Sequence, residues 1–106
     1  MSKILITAGT SALAIKLKNK LQSNFDVYLG EELAAIPSAL TKNYIITPSA
    51  SSQSYAHSII KIALDHNIEK ILALKVEEIK KLSLSLTLFE EYGITVLSPS
   101  SEQLAE

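Results

Sequence analysis

Serine and threonine side chains are concentrated in three short segments, each of which follows an apolar run of the sequence. The segments are Gly9-Thr10-Ser11, Ser49 to Ser52, and Ser98 to Ser101. Ligands of open parallel sheets bind outside the carboxyl ends of the strands, and helix N-termini attract anions. These hydroxyl groups could therefore bind a small polar ligand. Serines in such places also form helix caps and turns, and we favour this second interpretation.

The residues that we predict as ligand contacts, if a ligand binds, are Gly9, Thr10, Ser11, Ser49, Ser51 and Glu77. Gly9 is the only glycine of the first segment, so the G-x-G-x-x-G fingerprint of dinucleotide binding is missing. We therefore do not expect a tightly bound pyrophosphate. The paired glutamates Glu31-Glu32 and Glu77-Glu78 could border the same site, although such pairs are more often solvated.

Side chains that could act together in catalysis are sparse. Asp65 and His66 are adjacent in a predicted helix and point about 100° apart, so they form a poor orienting pair. We interpret His57 as a surface residue. The sequence has two histidines and no cysteine, and no metal-ligand spacing stands out. We expect no catalytic residue, no metal ion and no cofactor.

The charge balance argues against polyanionic partners. Ten basic residues, all of them lysines, face eleven acidic residues, which gives a formal net charge of -1. The broad positive field that attracts nucleic acids or anionic membranes is absent, so we expect neither partner. No stretch approaches the roughly 18 apolar residues of a membrane span, and the first apolar run is too short for a secretory leader. We expect a cytoplasmic protein.

The order of apolar runs predicts the elements that position these residues. Short strand-like runs alternate with longer amphipathic stretches, which is typical of repeated βα units around a parallel sheet. A chain of 106 residues has room for one domain, residues 1–106. We predict an α/β fold with helices on both sides of a mainly parallel sheet of about five strands. These are Ile4 to Ala8, Val27 to Leu29, Tyr44 to Thr47, Ile71 to Leu74 and Ile94 to Leu97.

Two helices are indicated by caps and apolar spacing. The first begins at Thr10 or Ser11 and carries an inner stripe of Leu13, Leu17 and Leu21. The second runs from Ser52 or Ser54 to His66, and Asn67 is positioned to end it in the left-handed region. Its inner stripe consists of Ala56, Ile59, Ile60 and Ala63. The stretch from Glu31 to Lys42 is interpreted as a connection that contains one helical turn at most.

The stretch from Leu82 to Leu88 alternates with a period of two, which taken alone predicts a strand. We favour a helix that ends before Gly93, because a right-handed crossover into the last strand requires one. Its core stripe would be Val76, Ile79, Leu82, Leu86 and Phe89. Leu84 and Leu88 would then point away from the core. They are either two scattered surface leucines or an apolar face that packs on another chain, and we predict an interface.

Six segments carry a family resemblance over about residues 3 to 104. They are Lys3 to Gly9, Val27 to Leu29, Tyr44 to Pro48, Ile68 to Leu72, Val76 to Glu78 and Leu88 to Ser100. In this order they resemble the pre-ATP-grasp domain at the start of carbamoyl-phosphate-synthase-like ATP-grasp ligases. The resemblance implies a three-layer α/β/α Rossmann-like domain.

Two departures limit what this resemblance implies. The sequence stops at Glu106, where such ligases would continue into the lobes that bind ATP and magnesium, so no catalytic residue is implied. The family often has acidic residues directly after the second strand and before the paired glutamates, and here those places are Gly30-Glu31 and Lys75-Val76.

We therefore expect a free-standing, non-catalytic domain. It would act by self-association, as a homodimer, or by binding a separate ATP-grasp-type protein. The alternative is a sensor that binds a small ligand or nucleotide through the residues predicted above as ligand contacts. Independent enzyme activity is the least favoured of the three hypotheses.

Overall fold

The computed structural model describes residues 2–99. Ser100 and Ser101, which belong to the third hydroxyl-rich segment, lie outside the described residues. The elements in chain order are β1 (Lys3–Ile6), α1 (Ala12–Leu21), β2 (Asp26–Glu31), two 3-10 turns (Leu33–Ala35 and Ser38–Asn43), β3 (Ile45–Ile46), α2 (Tyr55–His66), β4 (Lys70–Leu72), α3 (Val76–Ser83), α4 (Leu86–Glu91) and β5 (Thr95–Leu97). No helix within residues 2–99 combines the length and the apolar character needed to cross a membrane.

The five strands form one parallel sheet in the order β3-β2-β1-β4-β5. The central strand is β1, in which Leu5 pairs with Tyr28 of β2 on one side and with Ile71 of β4 on the other. The order of strands reverses at β1, because the chain moves outward to β3 and then crosses back to β4. The predicted Rossmann-like α/β fold is confirmed. A reversal of this kind leaves a crevice at the carboxyl ends of the central strands.

Both faces of the sheet are covered, which explains why β1 is apolar without alternation. On one face, Ile4 and Ile6 pack with buried residues of α1. On the other face, Leu5 packs with buried residues of α2, α3 and α4. Successive side chains of a strand point to opposite faces, so one continuous apolar run supplies both cores.

The helix ends follow the predicted chemistry. The Ser11 hydroxyl caps α1 by accepting a hydrogen bond from the Ala14 backbone N–H at 3.1 Å. Asn67 ends α2 with φ 58° and ψ 37°, and Gly93 follows α4 with φ 73°. Both residues adopt the left-handed conformation that ends helices.

The inner stripe of α1 differs from the expected one. Ala14, Leu17 and Leu21 are buried, whereas Leu13 is 43% exposed. Strict spacing of four residues drifts around a helix that has 3.6 residues per turn, and a mixture of three and four keeps the stripe on one face. The prediction for Leu13 was therefore wrong.

The helix predicted before Gly93 is two helices. After Ser83 the backbone tightens, with the Ser85 N–H donating to the Leu82 carbonyl, and α4 begins at Leu86. Leu82 and Phe89 are fully buried as expected, but Val76 and Leu86 are exposed. Ser85 leaves the helical conformation, with φ -125° and ψ 21°, so side chains on the two sides of the break no longer follow one continuous helical face.

This break also changes the expected exposure of the predicted interface pair, whose role in an interface stays a prediction. Leu84 is 86% exposed, but Leu88 is half-buried and packs against the core beneath α2, α3 and α4. The two leucines therefore do not form one exposed apolar face. The physical reason is that Leu84 lies at the end of α3 while Leu88 belongs to the separate helix α4.

The two leucines at positions 82 and 84 provide a matched test of this structure. Leu82→Ala should lower the free energy of unfolding by about 2–5 kcal/mol, because it leaves a cavity in the core. Leu84→Ala should change it by no more than about 0.5 kcal/mol. Urea denaturation measures both. Equal losses would contradict the burial of Leu82 and the exposure of Leu84.

Candidate functional site

A buried carboxyl group lies at the carboxyl ends of the central strands. Glu78, in the first turn of α3, accepts hydrogen bonds from the Thr7 hydroxyl at 2.7 Å, the Tyr55 hydroxyl at 3.0 Å and the Lys75 backbone N–H at 3.3 Å. We call Thr7, Tyr55 and Glu78 the Glu78 cluster. It joins the end of β1 to the starts of α2 and α3.

Each side chain of the Glu78 cluster is buried and has a partner. The Thr7 hydroxyl also accepts a hydrogen bond from the Leu74 backbone N–H at 3.1 Å, which ties in the loop after β4. Burial raises the pKa of Tyr55, and the charge of Glu78 adds to this effect. Tyr55 is therefore a neutral hydrogen-bond donor and is unsuited to act as a general base.

A second carboxyl group lies at the end of β2. Glu31 Oε1 accepts hydrogen bonds from the Thr10 hydroxyl at 2.6 Å and the Thr10 N–H at 3.2 Å, and Oε2 accepts one from the Glu32 N–H at 3.0 Å. Burial acts to raise the pKa of Glu31, but these hydrogen bonds, aided by the charge of Lys75, outweigh it and lower the pKa below its usual value. Glu31 is held as a carboxylate that faces the loop after β1.

An ion pair connects the loop after β4 with the segment just after β2. The distance between Lys75 Nζ, in the loop after β4, and Glu32 Oε2, just after β2, is 3.6 Å. Because β2 and β4 flank β1, this pair spans the crevice beside the end of β1. Both side chains are partly exposed, so the pair contributes about 0–1 kcal/mol to stability.

Backbone N–H groups of the loop after β1 also have hydrogen-bond partners. The Gly9 N–H donates to the Gly30 carbonyl at 2.8 Å, and the Ser11 N–H donates to the Ala8 carbonyl at 2.9 Å. A Cβ on Gly9 would lie 2.9 Å from Leu29 Cβ, so the close approach of this loop to β2 requires glycine. Ala8 adopts φ 51°, a left-handed conformation that glycine adopts without strain.

Five of the six predicted ligand contacts fall into two groups. Thr10 donates to the carboxylate of Glu31, Ser11 caps α1, and the Gly9 N–H donates to the Gly30 carbonyl. Ser49 and Ser51 are exposed and share a hydrogen bond of 2.8 Å between their hydroxyl groups. Bonds of this kind form turns, and a role of these residues in ligand binding stays a prediction.

Glu77 is exposed and does not join the buried cluster, whose carboxyl group belongs to its neighbour Glu78. Glu77 and Ser51 instead line a hollow of about 230 Å³ beside the exposed Leu84. We call this the Leu84 hollow. Its remaining lining residues are Ala50, Lys80 and Lys81.

The sequence analysis did not predict Thr7 and Tyr55 as site residues. It treated Glu31 and Glu78 each as one member of a solvated pair of glutamates. In each pair one glutamate is 3% exposed. The available signal was position: Glu31 ends a strand run, and Glu78 lies in the first turn of a helix, where carboxyl groups meet backbone N–H groups. Within residues 2–99, no three His, Cys, Asp or Glu side chains are placed to hold a metal ion.

The comparisons with known proteins concern the fold. No protein-family model matches the chain, and no curated protein sequence matches it. Among solved structures it is similar to L-threonine dehydrogenase from Clostridium difficile, with a TM-score of 0.58 and 20% identity over 95% of this chain and 37% of that one. It is also similar to L-threonine 3-dehydrogenase from Trypanosoma brucei, with a TM-score of 0.58 and 16% identity over 92% of this chain and 36% of that one.

The chain thus spans little more than a third of the length of these two dehydrogenases. At these identities the similarity establishes a shared Rossmann-like fold. Activity is a property of sites and not of folds.

Adjacent glutamates allow a direct test of the Glu78 cluster. Glu78→Ala should lower the free energy of unfolding by about 2 kcal/mol or more, because buried donors of Thr7 and Tyr55 lose their acceptor. Glu77→Ala, the control, should change it by no more than about 0.5 kcal/mol. Chemical denaturation monitored by circular dichroism measures the difference. Similar values for the two variants would mean that the buried cluster does not stabilise the fold.

The lowered pKa of Glu31 predicts a pH dependence of stability. A carboxylate whose folded pKa lies below its unfolded value stabilises the protein above the unfolded pKa, and this contribution is lost as pH falls through the folded pKa. Glu31→Gln should therefore be less stable than the wild type at neutral pH, by about 1–3 kcal/mol. The difference should shrink as the pH falls below the usual value of 4.5.

Urea denaturation across this pH range measures the effect, and Thr10→Val, which removes the hydroxyl donor, should show a smaller pH dependence than the wild type. Parallel stability curves for the wild type and Glu31→Gln would contradict the prediction.

Proposed function

We propose that this chain is a non-catalytic interaction module of the pre-ATP-grasp type, which acts in the cytoplasm by self-association or by binding a separate ATP-grasp-type protein. One observation carries the proposal. At the crevice, where Rossmann-like folds bind ligands, the polar groups described above are hydrogen-bonded to one another. A ligand would have to displace these bonds.

The loop after β1 illustrates this argument. Phosphate-binding loops present free backbone N–H groups at a helix N-terminus. Here the N–H of Thr10 donates to Glu31, and the N–H of Ala14 donates to the Ser11 hydroxyl. The nearby Glu31 carboxylate would also repel a phosphate. Tight binding of a pyrophosphate is therefore disfavoured by both geometry and charge.

Exposed apolar surface supports the interaction hypothesis. Leu84 is 86% exposed beside the Leu84 hollow, and Val76 at the other end of α3 is 65% exposed. Contiguous exposed apolar surface with a polar rim marks protein contact surfaces. Lys80 and Lys81 border the hollow, so a separate partner with acidic side chains around an apolar centre would complement it.

One observation favours a second candidate, a nucleoside-binding sensor. Dinucleotide-binding folds place an acidic residue about 20 residues after the glycine-rich turn, where it accepts hydrogen bonds from a ribose. Glu31 ends β2 and is held in its ionised form. A ribose hydroxyl could replace Thr10 as its donor, with no phosphate involved.

Native mass spectrometry combined with amide chemical shifts in the presence of adenosine separates the two candidates. The interaction module predicts association without a retained small molecule, and it predicts that adenosine leaves the amides of Thr10 and Glu32 unshifted. A saturable shift at these amides that disappears in Glu31→Gln would overturn the proposal in favour of the sensor.

A further inference from the structure

A second apolar surface lies between α2 and α4, away from the crevice. Leu64 of α2 and Tyr92, just after α4, are 48% and 52% exposed. With the half-buried Leu88 and the buried Ile60 they line a groove of about 400 Å³. We call this surface the α2–α4 groove. Its remaining lining residues are His57, Lys61 and Asp65.

We propose that the α2–α4 groove binds a second copy of this chain in a two-fold symmetric dimer. The inference rests on the proposed function, because it names the partner of a module that acts by association. A two-fold interface uses the same patch on both subunits, so that patch must complement itself in shape and in charge.

The shape of the surface meets this requirement. Leu64 and Tyr92 line the α2–α4 groove and also a neighbouring hollow of about 450 Å³ near the amino ends of the strands. They therefore lie between two depressions, and we call this pair of exposed side chains the ridge. In a two-fold pair, the ridge of each copy enters the groove of the other, and both apolar side chains leave water.

The charges meet the requirement as well. Lys61 Nζ and Asp65 Oδ2 are 2.9 Å apart, and their side chains are 77% and 57% exposed. They are one helical turn apart on α2. When two α2 helices pack antiparallel about a two-fold axis, Lys61 of each copy faces Asp65 of the other. The oppositely charged pair on each chain thus gives two attractive charge contacts between the chains.

The Leu84 hollow does not have this property. Its rim carries Lys80 and Lys81 against the single acidic residue Glu77. A second copy placed there would bring an excess of positive charge together, which is unfavourable. The charge pattern therefore assigns the second copy to the α2–α4 groove and leaves the Leu84 hollow for a different partner.

Charge reversal tests the proposal with a result that misfolding cannot imitate. Lys61→Glu alone and Asp65→Lys alone should each weaken self-association at least tenfold, because like charges then face each other across the axis. When the two variants are mixed, each acidic rim faces a basic one, and a mixed dimer should form. Sedimentation equilibrium measures the affinities, and native mass spectrometry identifies the mixed species by its mass.

Lys80→Glu is the matched control, because it reverses a lysine on the rim of the Leu84 hollow and should leave the dimer intact. Circular dichroism should show native spectra for all three variants. The proposal is overturned if the wild type is monomeric at about 100 µM, well above the dissociation constant of a stable dimer. It is also overturned if either reversal leaves the dimer unchanged or if mixing fails to restore association.

The two proposals fail in different ways. A saturable response of the crevice to adenosine would overturn the interaction module while leaving the charge-reversal result standing. A monomeric wild type without such a response would overturn the dimer alone.

Discussion

The carboxyl group of Glu78 is the point on which the arrangement of the crevice depends. A carboxyl group out of contact with water is costly unless donors surround it, and here hydroxyl groups of Thr7 and Tyr55 and a backbone N–H converge on it. Those donors come from β1, from α2 and from the loop after β4. The need to satisfy this one buried group therefore fixes the end of β1, the start of α2 and the loop after β4 relative to one another.

The same physics explains why the polar groups of the crevice are engaged with one another. Ligand sites need polar groups that are positioned but available, and the groups along this edge are positioned because they bind one another. Glu31 illustrates the point, since the three donors from Thr10 and Glu32 that hold its charge also occupy three of the roughly four lone-pair sites of a carboxylate. Apolar side chains that face water, such as Leu64 and Leu84, lie instead on the outer surface of the helices.

Much of the fold was predictable because it follows from local patterns. The parallel sheet, the apolar central strand, the cap at Ser11 and the left-handed end at Asn67 each depend on a few neighbouring residues. The break between α3 and α4 was not predictable in the same way. Leu82, Leu86 and Phe89 keep a helical spacing across the break, and the core decides where the backbone turns so that Leu82 and Phe89 are both buried.

By itself, the sequence determined the alternation of strands with helices, that the sheet is covered on both faces, and that no dinucleotide fingerprint is present. Tertiary structure alone decided which glutamate of each pair is buried, that Thr7 and Tyr55 meet Glu78, and that Leu88 joins the core while Leu84 does not. The reason is physical: periodicity and capping act between residues close in the chain, whereas the donors of Glu78 are up to 71 residues away from it. Such contacts exist only after the sheet has assembled.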